Sequence, residues 1–214
     1  MQIDKDTQAL IDERKKNNAP PLESFTPQEL RALRAKMAET PAELQVNISN
    51  VDDFYLKGSL GPIKVRKYSN NLSKEPDKKN PLIIYFHGGG FVMGDLESHD
   101  LVCRHLCKQT EATIIAVDYK LAPENKFPAS ITDTKDAIAE IIKDADNLQI
   151  DKEKVILCGD SAGGALAAVG TIMSRDKIVP KIHGQILVYP WVDLTMCRKS
   201  MDIDIEGMIL NKDT

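Results

Sequence analysis

A serine at position 161 stands in the run Gly159-Asp160-Ser161-Ala162-Gly163-Gly164. The strand-like segment 154–158 precedes it, and a small-residue segment, 162–174, whose pattern predicts a helix, follows. The G-x-S-x-G spacing answers a steric demand. A hydroxyl displayed on a sharp strand-to-helix bend needs neighbours two residues away that lack side chains. Gly159 and Gly163 meet that demand, and Ala162 and Gly164 keep the helix start close to the preceding strands. The positive end of the helix dipole then faces charge developing near the serine. The chemistry this implies is nucleophilic acyl transfer at Ser161. The competing reading is a glycine-rich turn with a bystander serine, because so short a motif recurs by chance.

A second run weighs against the bystander. His87-Gly88-Gly89-Gly90-Phe91 directly follows the continuous apolar stretch 82–86. Three consecutive glycines let the backbone approach a substrate and turn N–H groups inward. An acyl-transfer transition state places negative charge on a carbonyl oxygen, and one such donor is worth about 3–4 kcal/mol. The expected oxyanion donors come from the run Gly88, Gly89 and Gly90, with the amide of Ala162 just after the nucleophile. His87 is read as an organiser of this loop rather than a base. Asp160 either tunes the nucleophile electrostatically or hydrogen-bonds the surrounding loops. Phe91, Val92 and Met93 are candidates for an acyl pocket, with core packing as the equal alternative.

These residues need a scaffold that delivers loops to one edge, and the periodicity supplies it. Strand-like segments at 82–86, 113–117, 154–158 and 185–189 alternate with helical segments at about 98–109, 131–144 and 162–174. Such alternation predicts a mostly parallel sheet with helices on both faces, an α/β class. Two further strands are expected at 52–57 and 63–68, with an exposed polar loop over 70–81. Before them, a helix over 3–17 and a second opened by Thr26-Pro27-Gln28-Glu29 and running to about Glu39 form a helical N-terminal segment. The expected division is a cap segment, 1–45, and a core, 46–214.

Four segments resemble the hormone-sensitive-lipase-like (bacterial family IV) esterases of the α/β-hydrolase fold. They are His87 to Phe91, Asp118-Tyr119-Lys120-Leu121-Ala122-Pro123-Glu124, Gly159 to Gly164, and Tyr189-Pro190-Trp191-Val192-Asp193-Leu194. The resemblance implies hydrolysis of small carboxylic esters of short to medium acyl chain, with no metal or organic cofactor. It also implies an N-terminal cap over the pocket, and a bracing role for Tyr119 and Glu124 in the loops beside it.

The family triad runs Ser, Asp, His in chain order, with acid and base after later strands. Of His87, His99, His105 and His183, only His183 follows Ser161. It sits at the start of a strand, roughly 17–20 Å from the end where parallel sheets do chemistry. His99 reads as a helix-start residue at the pocket rim. Asp176, Asp193, Asp202, Asp204 and Asp213 follow Ser161, but none lies where the family places its acid. The expectation is a core whose C-terminal strands are missing. On the order of 60–90 further residues would carry the acid and base, and Ile205 to Thr214 resembles the start of a cap helix. The chain alone is then weakly active or inactive. The alternatives are a non-catalytic ligand-binding module on the same scaffold, as in plant gibberellin receptors, and a degenerate remnant.

Composition narrows the rest. The 214 residues carry a formal charge of −4 and show no basic footprint for nucleic acid. No apolar run reaches the length of about 18 residues of a membrane span, and the polar start lacks a signal-peptide core. Four scattered cysteines predict no disulfide framework and a cytoplasmic location. Cys103, His105 and Cys107 share a short stretch, but no second ligand cluster matches it, so core packing is preferred to a metal site. A homo-oligomer is left open.

Overall fold

The computed structural model describes residues 3–18, 20–37, 44–70, 79–195 and 197. Six strands form one sheet: β1 (Asn50–Leu56), β2 (Ile63–Ser69), β3 (Asn80–Phe86), β4 (Thr113–Asp118), β5 (Ile150–Asp160) and β6 (Gly184–Val188). Their order across the sheet is β1-β2-β4-β3-β5-β6. The first two strands are antiparallel, and β4, β3, β5 and β6 run parallel. The crossovers are α3 (Asp100–Thr110), α4 (Ala129–Lys143) and α5 (Ala162–Arg175). This is the α/β class expected from the alternation.

Burial explains why the central strands read as unbroken apolar runs. On β3, Leu82, Ile84 and Phe86 pack with Ala137, Ile138 and Ile141 of α4 and Leu166 and Ala167 of α5. The intervening Ile83 and Tyr85 pack on the other face with Cys103 and Cys107 of α3. Side chains alternate across a strand, so a strand covered on both faces must be apolar at every position. His105 is exposed on α3 while both cysteines are buried, so those cysteines are core residues.

The register sets the site. Phe86 is level with Val117 on β4 and with Gly159 on β5, and Asp160 is level with Val188 on β6. The loops that begin at His87, Tyr119, Ser161 and Tyr189 therefore leave the sheet at one edge, the carboxyl ends of its parallel strands. Residues 33–192 form a compact unit that holds this whole sheet.

Two N-terminal helices are as expected in kind. α1 (Lys5–Lys16) begins two residues later than predicted, because the Asp4 carboxylate caps it by accepting from the amides of Asp6 and Thr7. α2 (Pro27–Met37) opens on a capping box. Glu29 accepts from the Thr26 amide at 2.8 Å, and Thr26 Oγ1 accepts from the Glu29 amide at 3.3 Å. The expected end of this helix near Glu39 lies outside the described residues, as do 71–78 of the expected polar loop and the stretch from Ile205 to Thr214. Among the described residues, no helix is long and apolar enough to cross a membrane.

Candidate active site

Ser161 sits between the end of β5 and the start of α5 with φ 51° and ψ −117°. A side chain at such angles crowds its own backbone, and the strain persists only where the surroundings hold it. They do so through three backbone bonds. The Ser161 N–H donates to the Val188 carbonyl at 2.9 Å, and the Ser161 carbonyl accepts from Trp191 at 3.0 Å and from Ala165 at 3.1 Å. The serine is half-buried, and among the described residues its hydroxyl makes no hydrogen bond. Gly163 shows why small residues surround it. A Cβ there would collide with the carbonyl oxygens of Phe86 and His87, so the first turn of α5 touches the backbone of the glycine loop. Gly159 faces the Gly163 carbonyl, and Gly164 packs on Pro190.

The glycine loop is coiled back on itself. Gly89 and Gly90 have φ of 128° and 63°, angles that L side chains rarely adopt. The Gly89 carbonyl accepts from the amides of Val92 and Met93 at 3.1 and 2.9 Å. Among the described residues the amides of Gly89, Gly90 and Ala162 donate to no acceptor. The Gly88 amide is different. It donates to Asp160 Oδ1 at 2.9 Å, so this member of the expected oxyanion set is already engaged.

Side chains around the loop form one buried polar layer. Asp160 Oδ1 also accepts from the Tyr85 hydroxyl at 2.7 Å and lies 3.4 Å from His99 Nε2. Burial alone would raise the Asp160 carboxyl, but the bonds and charge of His99, Tyr85 and the Gly88 amide hold it below the usual carboxylate range. Of the two readings of Asp160, the bonding one describes what the side chain touches. His87 stacks on Tyr119 at 4.3 Å between ring centroids, and its Nδ1 lies 2.9 Å from the Gly88 carbonyl. A carbonyl only accepts, so Nδ1 carries the proton. Burial pushes the His87 imidazole down to about 4, so the ring is neutral at ordinary pH. Its Nε2 is buried without a partner among the described residues.

The segment after β4 braces the loop. The Tyr119 hydroxyl donates to the His87 carbonyl at 2.7 Å, and the Ala122 amide donates to the Phe91 carbonyl at 2.8 Å. Asp133, fully buried on α4, accepts from the Lys120 amide at 2.9 Å and fixes this segment in turn. Phe91 stacks on Trp191 at 6.2 Å, beside the serine's backbone. Sequence reasoning missed Trp191 as a neighbour of the serine, and it missed the Tyr85–Asp160–His99 contact altogether.

His183 lies beside Val155, six residues before the nucleophile, where its amide donates to the Val155 carbonyl at 2.8 Å. That is midway along β5, six residues of extended strand, about 20 Å, before Ser161. Asp176 caps the far end of α5 and pairs with Arg175 at 2.8 Å. Asp193 accepts locally from the Thr195 amide at 3.1 Å. Asp202, Asp204 and Asp213 lie outside the described residues. Among the described residues, no group of histidine, cysteine and carboxylate side chains could hold a metal.

Residues 83–213 match the family described as having the alpha/beta hydrolase fold. The chain is a member of the α/β-hydrolase family. Its relatives put it in the hormone-sensitive-lipase-like esterase group. Over 162 residues it is 38% identical to Esterase LipI of Mycobacterium tuberculosis, covering 75% of this chain and 50% of that one. It is 35% identical to an arylesterase of Saccharolobus solfataricus over 87% of this chain and 60% of the relative. A solved hyperthermophilic esterase from Pyrobaculum calidifontis superimposes with a TM-score of 0.87 at 33% identity, covering 100% of this chain and 68% of that one. This α/β-hydrolase thus spans about half to two-thirds of the length of the relatives it matches.

Proposed function

We propose that this chain carries the nucleophile and oxyanion half of a carboxylic ester hydrolase acting on small esters of short to medium acyl chain. Ser161 attacks the carbonyl carbon, and the amides of Gly89, Gly90 and Ala162 receive the oxygen as it becomes negative. The observation that carries this reading is the strained backbone at Ser161, φ 51° and ψ −117°, wedged against the glycine loop through Gly163. Strain of about 1–3 kcal/mol at a serine is costly unless the side chain's direction matters. The names of the relatives, esterase and arylesterase, support esters as the substrate class. Residues 1–45 would serve as the cap segment of this reading. The reading needs no metal or organic cofactor.

No described histidine hydrogen-bonds the serine hydroxyl, so turnover by this chain alone is expected to be slow. An oxyanion hole and binding without a general base leave a residual ~10³–10⁴-fold acceleration over water. The test is covalent labelling of the purified chain with a fluorophosphonate, read by mass spectrometry, beside hydrolysis of p-nitrophenyl butyrate. Slow labelling that maps to residue 161 and disappears in Ser161→Ala is the expected result. A wild-type chain that labels no faster than Ser161→Ala overturns the nucleophile assignment. Turnover above about 1 s⁻¹ that Ser161→Ala abolishes overturns the expectation of slow turnover and places a base within the chain.

A further inference from the structure

One carboxylate joins the two halves of the site. Asp160 immediately precedes the nucleophile, and its Oδ1 accepts from the Gly88 amide at 2.9 Å and the Tyr85 hydroxyl at 2.7 Å. Its side chain is 14% exposed. A Cβ at Gly88 would overlap Asp160 Oδ2, so loop backbone and carboxylate are in direct contact. On its other side, His99 Nε2 stands 3.4 Å from the same Oδ1. His99 is itself buried, with Nδ1 3.0 Å from Ser98 Oγ. Ser98 is tied to Asp95, which it contacts through the Asp95 amide at 2.9 Å and carbonyl at 3.0 Å.

The donor accounting orients this chain. An ionised carboxylate only accepts, so Nε2 of His99 must present its proton to Asp160. With His99 neutral, Nδ1 accepts from the Ser98 hydroxyl. With His99 protonated, Nδ1 donates to Ser98 Oγ, and the hydroxyl turns to the Asp95 carbonyl. A buried carboxylate is expensive unless it is paired and fully hydrogen-bonded. Here its partners are the first amide of the glycine loop and a histidine on the opposite flank. Fixing the Gly88 amide fixes the peptide plane from which the Gly89 and Gly90 amides follow.

We propose that Asp160 and His99 are positioning residues for the oxyanion donors: the carboxylate clamps the Gly88 amide, and His99 holds the carboxylate in place. This rests on the serine acyl-transfer reading of the site. Neither residue touches the reacting atoms. The titratable groups facing His99 are Asp160, Tyr85 at 6.1 Å and His87 at 5.5 Å between rings.

The test measures the rate of fluorophosphonate labelling of the full chain, because the probe's phosphoryl oxygen occupies the same donor cradle. Losing one oxyanion donor costs about 10²–10³-fold in rate, and loosening the loop is expected to cost part of that, about 10- to 100-fold, in Asp160→Ala. Asp160→Asn keeps an acceptor for Gly88 and should recover most of the rate. His99→Gln, which keeps a side-chain N–H donor, should outperform His99→Phe. Rescue by these conservative variants separates positioning from general loosening of the core. A wild-type chain that labels while Asp160→Ala labels equally fast overturns the positioning role and leaves the nucleophile standing. A wild-type chain that does not label overturns both.

Discussion

At the scale of single residues, the site stores strain where the chemistry needs direction. Ser161 has a backbone that glycine adopts without penalty. Ser161→Gly should therefore be more stable than Ser161→Ala by about 1–2 kcal/mol, since alanine keeps the Cβ and its strain. Urea unfolding of the two variants checks this, and equal midpoints would mean the turn is unstrained. His87 makes a second residue-scale prediction. Its imidazole is pushed from 6.5 to about 4 by burial, so between those values the unfolded chain binds a proton that the folded chain refuses. Stability contributed by the neutral ring is complete above pH 6.5 and is lost as pH falls towards 4, to the extent of about 3 kcal/mol. Asp118, whose carboxyl burial raises, works in the opposite direction. The difference in unfolding free energy between pH 7 and 4 should therefore shrink in His87→Asn. The serine and its glycines were legible in sequence because the absence of a Cβ is visible there. His99 was not, because its partner Asp160 is 61 positions away in the chain, and no local pattern announces that contact.

At the scale of elements, the site depends on how closely the start of α5 is pressed to the end of β3. The atoms that Gly163 would strike with a side chain are backbone carbonyls of Phe86 and His87, which cannot rotate aside. Gly163→Ala should cost more than about 2 kcal/mol, in the range of overpacking, despite alanine's better helix propensity. Gly184→Ala, at the start of β6, meets nothing closer than 3.7 Å and should be near neutral. Thermal unfolding of both variants reads the contrast, and similar losses would show that α5 has room to shift. Element types and order followed from periodicity because the central strands are covered on both faces and the helices on one. Boundaries followed less well. β5 begins at Ile150 rather than near 154, because Asp151, Lys152 and Glu153 continue the strand with solvent-facing side chains that hydropathy reads as a loop. β3 likewise takes in Asn80 and Pro81 from the expected polar loop.

At the scale of the whole molecule, the two edges of the sheet are unequal. β1 carries Asp52 and Asp53, and Asp53 is paired with Arg66 at 2.6 Å. Charged side chains of this kind discourage a second sheet from pairing with an edge. β6, Gly-Gln-Ile-Leu-Val, carries no charge and no proline. Among the described residues its only strand neighbour is β5. Ile186 is 40% exposed and Val188 37%, and Ile172 on the adjoining α5 is 48% exposed. Among the described residues, the outer edge of β6 thus pairs with no further strand and lies beside apolar surface, the combination that recruits another strand. The 214-residue chain should associate with itself as its concentration rises, seen in sedimentation velocity as a shift to faster species. Ile186→Lys places a charge on that edge and should restore the monomer with little loss of stability, because the side chain it replaces is already in contact with water. A chain that stays monomeric at every concentration, or a lysine variant that associates as strongly as the parent, would show that β6 is not the sticky edge. The same variant would leave fluorophosphonate labelling at Ser161 unchanged, since its side chain lies two residues before the strand's exit to the site, and that separates association from chemistry.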